Sequence, residues 1–138
     1  MADPTGEEIV RNVIACDNAR DAAGYRSLLH AEYQSIVHGQ PATTGPEEEV
    51  AQLERWWLAA SDVRLEPLDL YAAGTSVTLR YTLAGTNDGE FFGQPATGKR
   101  FQVENCTLFE ISEGQVRRAW RYSDTLGLMT QLGLLPVS

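Results

Sequence analysis

Val116, Arg118, Trp120, Tyr122 and Asp124 alternate along one stretch near the C-terminus. In an extended strand such residues share a face, and Arg117, Ala119, Arg121 and Ser123 take the other. A face built from valine, tryptophan and tyrosine is expected to be buried, which leaves Asp124 at its end on the apolar side. Desolvation there favours the neutral acid, the condition a carboxyl group needs to exchange protons near neutral pH. Asp124 also precedes the helical run Leu126–Leu132, where an aspartate commonly serves as the N-cap. The residues alone leave both roles open.

Whether a second carboxylate joins Asp124 depends on the turn at Ser112-Glu113-Gly114. A two-residue turn sets Thr107 opposite Trp120, whereas a three-residue turn with a bulge at Gly114 sets Cys106 there. The second register brings Glu104, Cys106, Leu108 and Glu110 onto the Asp124 face. Glu110 and Asp124 in one apolar pocket would then divide into an acid and a base. Otherwise Glu110 is solvated at the hairpin end. His38, closing an earlier strand, is a candidate proton shuttle or a surface residue. Trp57 shares the Val50/Leu53 stripe of a helix, and Trp56 faces a pocket or an interface. Arg80 is either an anchor for a carbonyl or anionic group or an exposed sheet arginine.

Several chemistries lack their residues. The sequence contains no His-x-x-x-His pair, no Gly-x-Gly-x-x-Gly after a strand, no phosphate-binding loop and no nucleophile elbow. Acid/base chemistry without a cofactor or metal remains. The net charge of −8 repels phosphate backbones and anionic bilayers, so nucleic-acid and membrane partners are not expected. A hydrophobic small molecule suits the chain better. Cys16 and Cys106 are too far apart for a metal knuckle or redox pair. No secretory signal is legible and no apolar run approaches the roughly 20 residues of a membrane span, so a cytoplasmic location is expected.

The elements that must position these groups follow from periodicity. Thr5-Gly6-Glu7-Glu8 has capping-box spacing before Ile9, Val10, Val13 and Ile14, predicting a helix to about Asn18. A shorter helix over Asp21–His30 and a strand over Tyr33–His38 come next. Gln40–Gly45 reads as a loop, and Pro46 with Glu47, Glu48 and Glu49 opens a helix ending near Ala60. The period then becomes two, giving strands over Val63–Tyr71, Ser76–Thr86, Phe101–Ile111 and Val116–Tyr122. The order is α-α-β-α-β-β-β-β, an α+β pattern over a single domain, residues 1–138. A curved antiparallel sheet wrapped around the early helices would form a cone with an internal pocket at its open end.

Gly85-Thr86-Asn87-Asp88-Gly89-Glu90-Phe91-Phe92-Gly93-Gln94-Pro95-Ala96-Thr97-Gly98-Lys99-Arg100 resembles the SnoaL-like polyketide cyclase (ester cyclase) family of the nuclear-transport-factor-like superfamily. So does the tail, Trp120-Arg121-Tyr122-Ser123-Asp124-Thr125-Leu126-Gly127-Leu128-Met129 followed by Gln131-Leu132-Gly133. The resemblance implies an intramolecular aldol ring closure on a polyketide-like molecule in secondary metabolism. Asp124 matches the family's general acid/base. Glu110 falls where the characterised cyclases carry a histidine, and Asn87 stands where many members have one. On this reading Asp124 acts with Glu110 or His38, while Trp57, Trp120, Tyr122, Arg80 and Asn87 bind substrate. The alternatives are an epoxide hydrolase or isomerase using Glu110, Asp124 and Arg80 or Arg118, and a non-catalytic binding module. Sheet faces in this superfamily often pair subunits. Phe101, Val103, Phe109 and Ile111 are expected opposite the pocket, which predicts a homodimer.

Overall fold

The computed structural model describes residues 4–135. Helix α1, Gly6–Asn18, starts at the expected capping box: the Thr5 hydroxyl accepts from the Glu8 amide and the Glu8 carboxylate from the Thr5 amide. Its buried stripe is Ile9, Val10, Val13 and Ile14. Helix α2, Ala22–Ser27, stops short of His30, and strand β1, Leu29–Val37, begins at once. Strand β2, Gln40–Thr44, occupies the segment expected to be a loop. His38 and Gly39 both have positive φ, 49° and 80°, so a tight two-residue turn folds Gln40–Thr44 back onto β1.

Helix α3, Pro46–Ala59, is followed by β3, Arg64–Ala73, and β4, Ser76–Thr86. Strands β5, Arg100–Ser112, and β6, Gln115–Tyr122, form the last hairpin, and α4, Thr125–Leu132, closes the described chain. The six strands lie in the order β2-β1-β6-β5-β4-β3. The sheet is antiparallel except where β1 runs parallel to β6. It is curved and unclosed, as the α+β reading requires. No described helix is long and apolar enough to cross a membrane.

The register of the last hairpin decides which residues face inward. Glu113 and Gly114 have φ of 54° and 75°, the two-residue turn, and Ser112 pairs with Gln115. The pairing then slips: Ile111 faces Val116, but Glu110 faces Arg118. One extra residue in β6 lets Val116 and Ala119, three apart, both point inward. Beyond this bulge Leu108 pairs with Trp120, Cys106 with Tyr122 and Thr107 with Arg121. The expected faces are therefore exchanged. On β5 the buried set is Phe101, Val103, Asn105, Thr107, Phe109 and Ile111. Phe109 and Ile111 join the core around α1, while Phe101 and Val103 pack with Leu128 and Leu132 of α4. None of these four is left on the outer face, so the apolar surface invoked for a dimer is core.

Candidate functional site

Between the inner sheet face and the helices lies a cavity of about 300 Å³. Val13 and Ile14 of α1, Leu53 of α3, Leu79 of β4, Phe109 of β5 and Met129 of α4 supply apolar wall. Trp56 meets Phe91 edge to face, with ring centres 5.5 Å apart, and both rings line the cavity. Polar groups enter this wall from separate elements, the usual composition of a small-molecule site.

One polar group is a buried ion pair. Arg121 comes off the inward face of β6, and its Nη2 donates to Glu49 Oε2 at 2.5 Å. Nη1 reaches Glu49 Oε1 at 3.2 Å. Glu49 also accepts from the Tyr25 hydroxyl at 3.0 Å and the Thr43 hydroxyl at 2.8 Å. Thr43 in turn contacts Ser35, which ties β2 and β1 into the network. Burial opposes ionisation of Glu49, whose residue is only 1% exposed. The Arg121 guanidinium and these hydroxyls overcome it and hold the carboxyl below its usual range. Burial also drives the Tyr25 and Tyr33 phenols upward, so both remain neutral.

Asp17, in the last turn of α1, is a second polar feature of the cavity. Trp57 Nε1 donates to its Oδ1 at 2.9 Å. Burial raises its pKa above that of an ordinary aspartate, against the opposing pull of the Trp57 bond, Arg20 and Arg121.

Asp124 takes the N-cap role foreseen for it and also borders the cavity. Its Oδ1 accepts from the Gly127 amide at 2.8 Å, making it the N-cap of α4, and its side chain lines the cavity. The Asp124 amide donates to Asn105 Oδ1 at 3.0 Å, so β5 fixes the backbone under the carboxylate. Gly127 has a local reason: an added Cβ would overlap the Asp124 carboxylate. Asp124 is exposed, however, so it sits at the mouth of the cavity and not in the dry interior expected.

The remaining predicted residues do not converge on it. Trp120 and Tyr122 lie on the outer sheet face because the bulge in β6 inverts the assumed alternation, and Glu110, opposite Arg118, is outside because its β5 neighbours Phe109 and Ile111 point inward. Arg80 is also outside, paired to Asp69 and Glu104 at 2.5 and 2.6 Å. His38 is exposed in the β1–β2 turn, where its Nε2 accepts from the Ser123 amide at 3.0 Å. Trp57 stands behind Asp17 and does not itself line the cavity, a place taken by Trp56. Asn87, 1% exposed, is structural: it donates to the Ala59 and Gly89 carbonyls and accepts from Thr97. Among the described residues no cluster of three His, Cys, Asp or Glu side chains could hold a metal ion.

Sequence reasoning missed Asp17, Glu49, Arg121 and Asn105. Two carried a signal. Asp17 continues the Val10/Val13/Ile14 stripe, and Glu49 precedes Leu53 and Trp56 at helical spacing, so each is a charge on a buried face. Arg121 and Asn105 could be placed only through the hairpin register.

Comparison with known proteins agrees with this geometry. The family model of SnoaL-like polyketide cyclases matches residues 7–132. Aklanonic acid methyl ester cyclase DnrD of Streptomyces peucetius is 29% identical, over 91% of this chain and 89% of its own. Nogalonic acid methyl ester cyclase of Streptomyces nogalater is 32% identical, over 76% of this chain and 80% of its own. Among solved structures, TsrD of Streptomyces laurentii superposes with a TM-score of 0.84 at 31% identity, covering 94% of this chain and 95% of that one. An open α+β sheet around an apolar cavity, with an aspartate at the cavity mouth and these relatives, makes the chain a polyketide cyclase-like enzyme belonging to the SnoaL-like polyketide cyclase family.

Proposed function

We infer that the protein closes a ring by an intramolecular aldol reaction on a polyketide-like methyl ester, with Asp124 as the base. The observation that carries this reading is the state of the Asp124 carboxylate. Its backbone is fixed by Asn105 and its Oδ1 by Gly127, and no donor among the described residues reaches Oδ2. A carboxylate with one oxygen anchored and one available at a cavity mouth is placed to take a proton from a carbon next to a carbonyl. The apolar walls would hold the resulting enolate folded against its electrophile, where proximity lowers the barrier. Epoxide opening has less support, since it needs Glu110 with Arg80 or Arg118 beside Asp124, and the sheet turns all three outward. Glu110 and His38 have no part in this mechanism.

The test is turnover of aklanonic acid methyl ester and nogalonic acid methyl ester, followed by product mass and absorbance. Asp124→Asn preserves a good N-cap, so its melting temperature should stay near the parent value. Its kcat should fall by about 10²–10⁴, the usual contribution of a general base. Undiminished turnover in Asp124→Asn would sink the assignment.

A homodimer belongs to the same reading, with the surface moved to the outer face. There Ile36, Trp120 and Leu108 line up across β1, β6 and β5, and Tyr122 is 54% exposed. Light scattering at micromolar concentration should give twice the chain mass, and Leu108→Glu should reduce it to one. A parent protein already at one chain mass would dismiss the dimer.

A further inference from the structure

We propose that Asp17 is a second catalytic residue, an acid that hydrogen-bonds and then protonates the oxygen of the substrate's electrophilic carbonyl as the ring closes. This inference rests on the aldol reading of Asp124. It starts from a carboxyl group that the fold places at a cavity and leaves half satisfied. Asp17 Oδ1 accepts from Trp57 Nε1, while no donor among the described residues reaches Oδ2. The indole bond is compatible with either protonation state, since it uses an acceptor oxygen and leaves the other free to carry a proton.

The surroundings favour that proton. Asp17 lies in the last turn of α1, where the helix dipole disfavours an anion. Burial acts in the same direction and is the largest influence, with Glu49 of α3 adding to it. Arg20, just beyond α1, and Arg121 of β6 act the other way, and so does the Trp57 bond from α3. The balance lies on the raised side. Asp124 and Asp17 thus differ in setting: one is exposed at the mouth over a helix N-terminus, the other partly buried at a helix C-terminus. Two carboxyl groups in contrasting environments are the arrangement that separates a base from an acid.

The step balances without another reactant. Asp124 takes the proton from the carbon next to one carbonyl, and the electron pair left behind becomes the enolate. That pair forms the new carbon–carbon bond to the second carbonyl carbon. The carbonyl π pair moves to oxygen, which receives the Asp17 proton and becomes the ring hydroxyl. Asp124 ends protonated and Asp17 ionised, and exchange with water after product release restores both. The substrate is therefore one that presents a ketone oxygen to the α1 wall of the cavity.

One measurement needs neither substrate nor variant turnover. The Trp57 indole N–H resonance in a ¹⁵N-labelled protein reports the charge on its acceptor. It should titrate with a midpoint above the ordinary aspartate value of about 3.9, and the transition should vanish in Asp17→Asn. A midpoint in the ordinary range would overturn the proposal. In turnover of aklanonic acid methyl ester, Asp17→Asn retains the acceptor for Trp57 but cannot give up a proton. Its kcat should drop about 10²–10³-fold with KM within a few fold, and the alkaline limb of the pH profile should disappear. Asp17→Glu should restore part of both. Full kcat and an intact alkaline limb in Asp17→Asn would also overturn it. The base reading fails separately, through undiminished turnover in Asp124→Asn.

Discussion

Removing the guanidinium of Arg121 tests the physical account of the site most severely. In Arg121→Met the Glu49 carboxylate, 1% exposed, loses both Arg121 hydrogen bonds and its neutralising charge. It keeps only the Tyr25 and Thr43 hydroxyls. Breaking a buried pair by deleting one partner costs about 3–5 kcal/mol, because the other charge stays behind uncompensated. For a chain of this size that is a fall in melting temperature of roughly 10–15 °C. The pH dependence carries a sign. In the parent protein the Glu49 carboxyl lies below its unfolded value. Its stabilisation is complete above the unfolded carboxyl range, near about 4.3, and is lost as pH falls through the lower folded value. In Arg121→Met burial acts unopposed by the guanidinium, so the folded value rises above the unfolded one and the variant gains stability as pH falls. The gap between the two proteins should be widest at neutral pH and should narrow toward about pH 4.5. Urea denaturation at several pH values measures it as a shift in midpoint at constant slope. Glu49→Gln/Arg121→Met, with no charge left, should recover about half the loss or more. A gap below about 1 kcal/mol, or one unchanged between neutral and acid pH, would refute the argument.

Other outcomes follow from the same geometry. Asn87→Ala removes the donor to the buried Ala59 carbonyl and the half-buried Gly89 carbonyl and the acceptor for Thr97, costing about 2–3 kcal/mol. Limited proteolysis should then cut faster between β4 and β5, and because Phe91 in that segment lines the cavity, KM should rise. Glu110→Gln should leave kcat unchanged and stability within about 0.5 kcal/mol, since the side chain lies on the outer face. A Glu110→Gln enzyme with strongly reduced turnover would mean that the outward register is wrong.

Local rules carried the reading where the signal was local. The capping box at Thr5, the α1 stripe, the proline opening α3 and the period-two runs of β3 to β6 depend on neighbours within a few residues. Asp124 was legible as the cap of the last helix because the strand end and the helix start are both encoded beside it. The β2 strand was not, because Gln40-Pro41-Ala42-Thr43-Thr44 has no strand pattern of its own. It is held by pairing to β1 and by Thr43 bonding Ser35 and Glu49.

The α+β class, the elements other than β2, the family motifs and the aspartate before the last helix were determined by the sequence itself, since each rests on short-range periodicity or capping. The tertiary structure decided which side of the last hairpin is the inside. One extra residue in β6 changes the parity of every position beyond it, and a period of two has no memory of such an insertion. That single residue turns Trp120 and Tyr122 outward and brings Arg121 to the cavity, while the unbroken alternation of β5 from the inward Ile111 leaves Glu110 outside and Asn105 inside. Long-range packing then joins Arg121 to Glu49 and Trp57 to Asp17, contacts between residues 72 and 40 positions apart that no local pattern encodes.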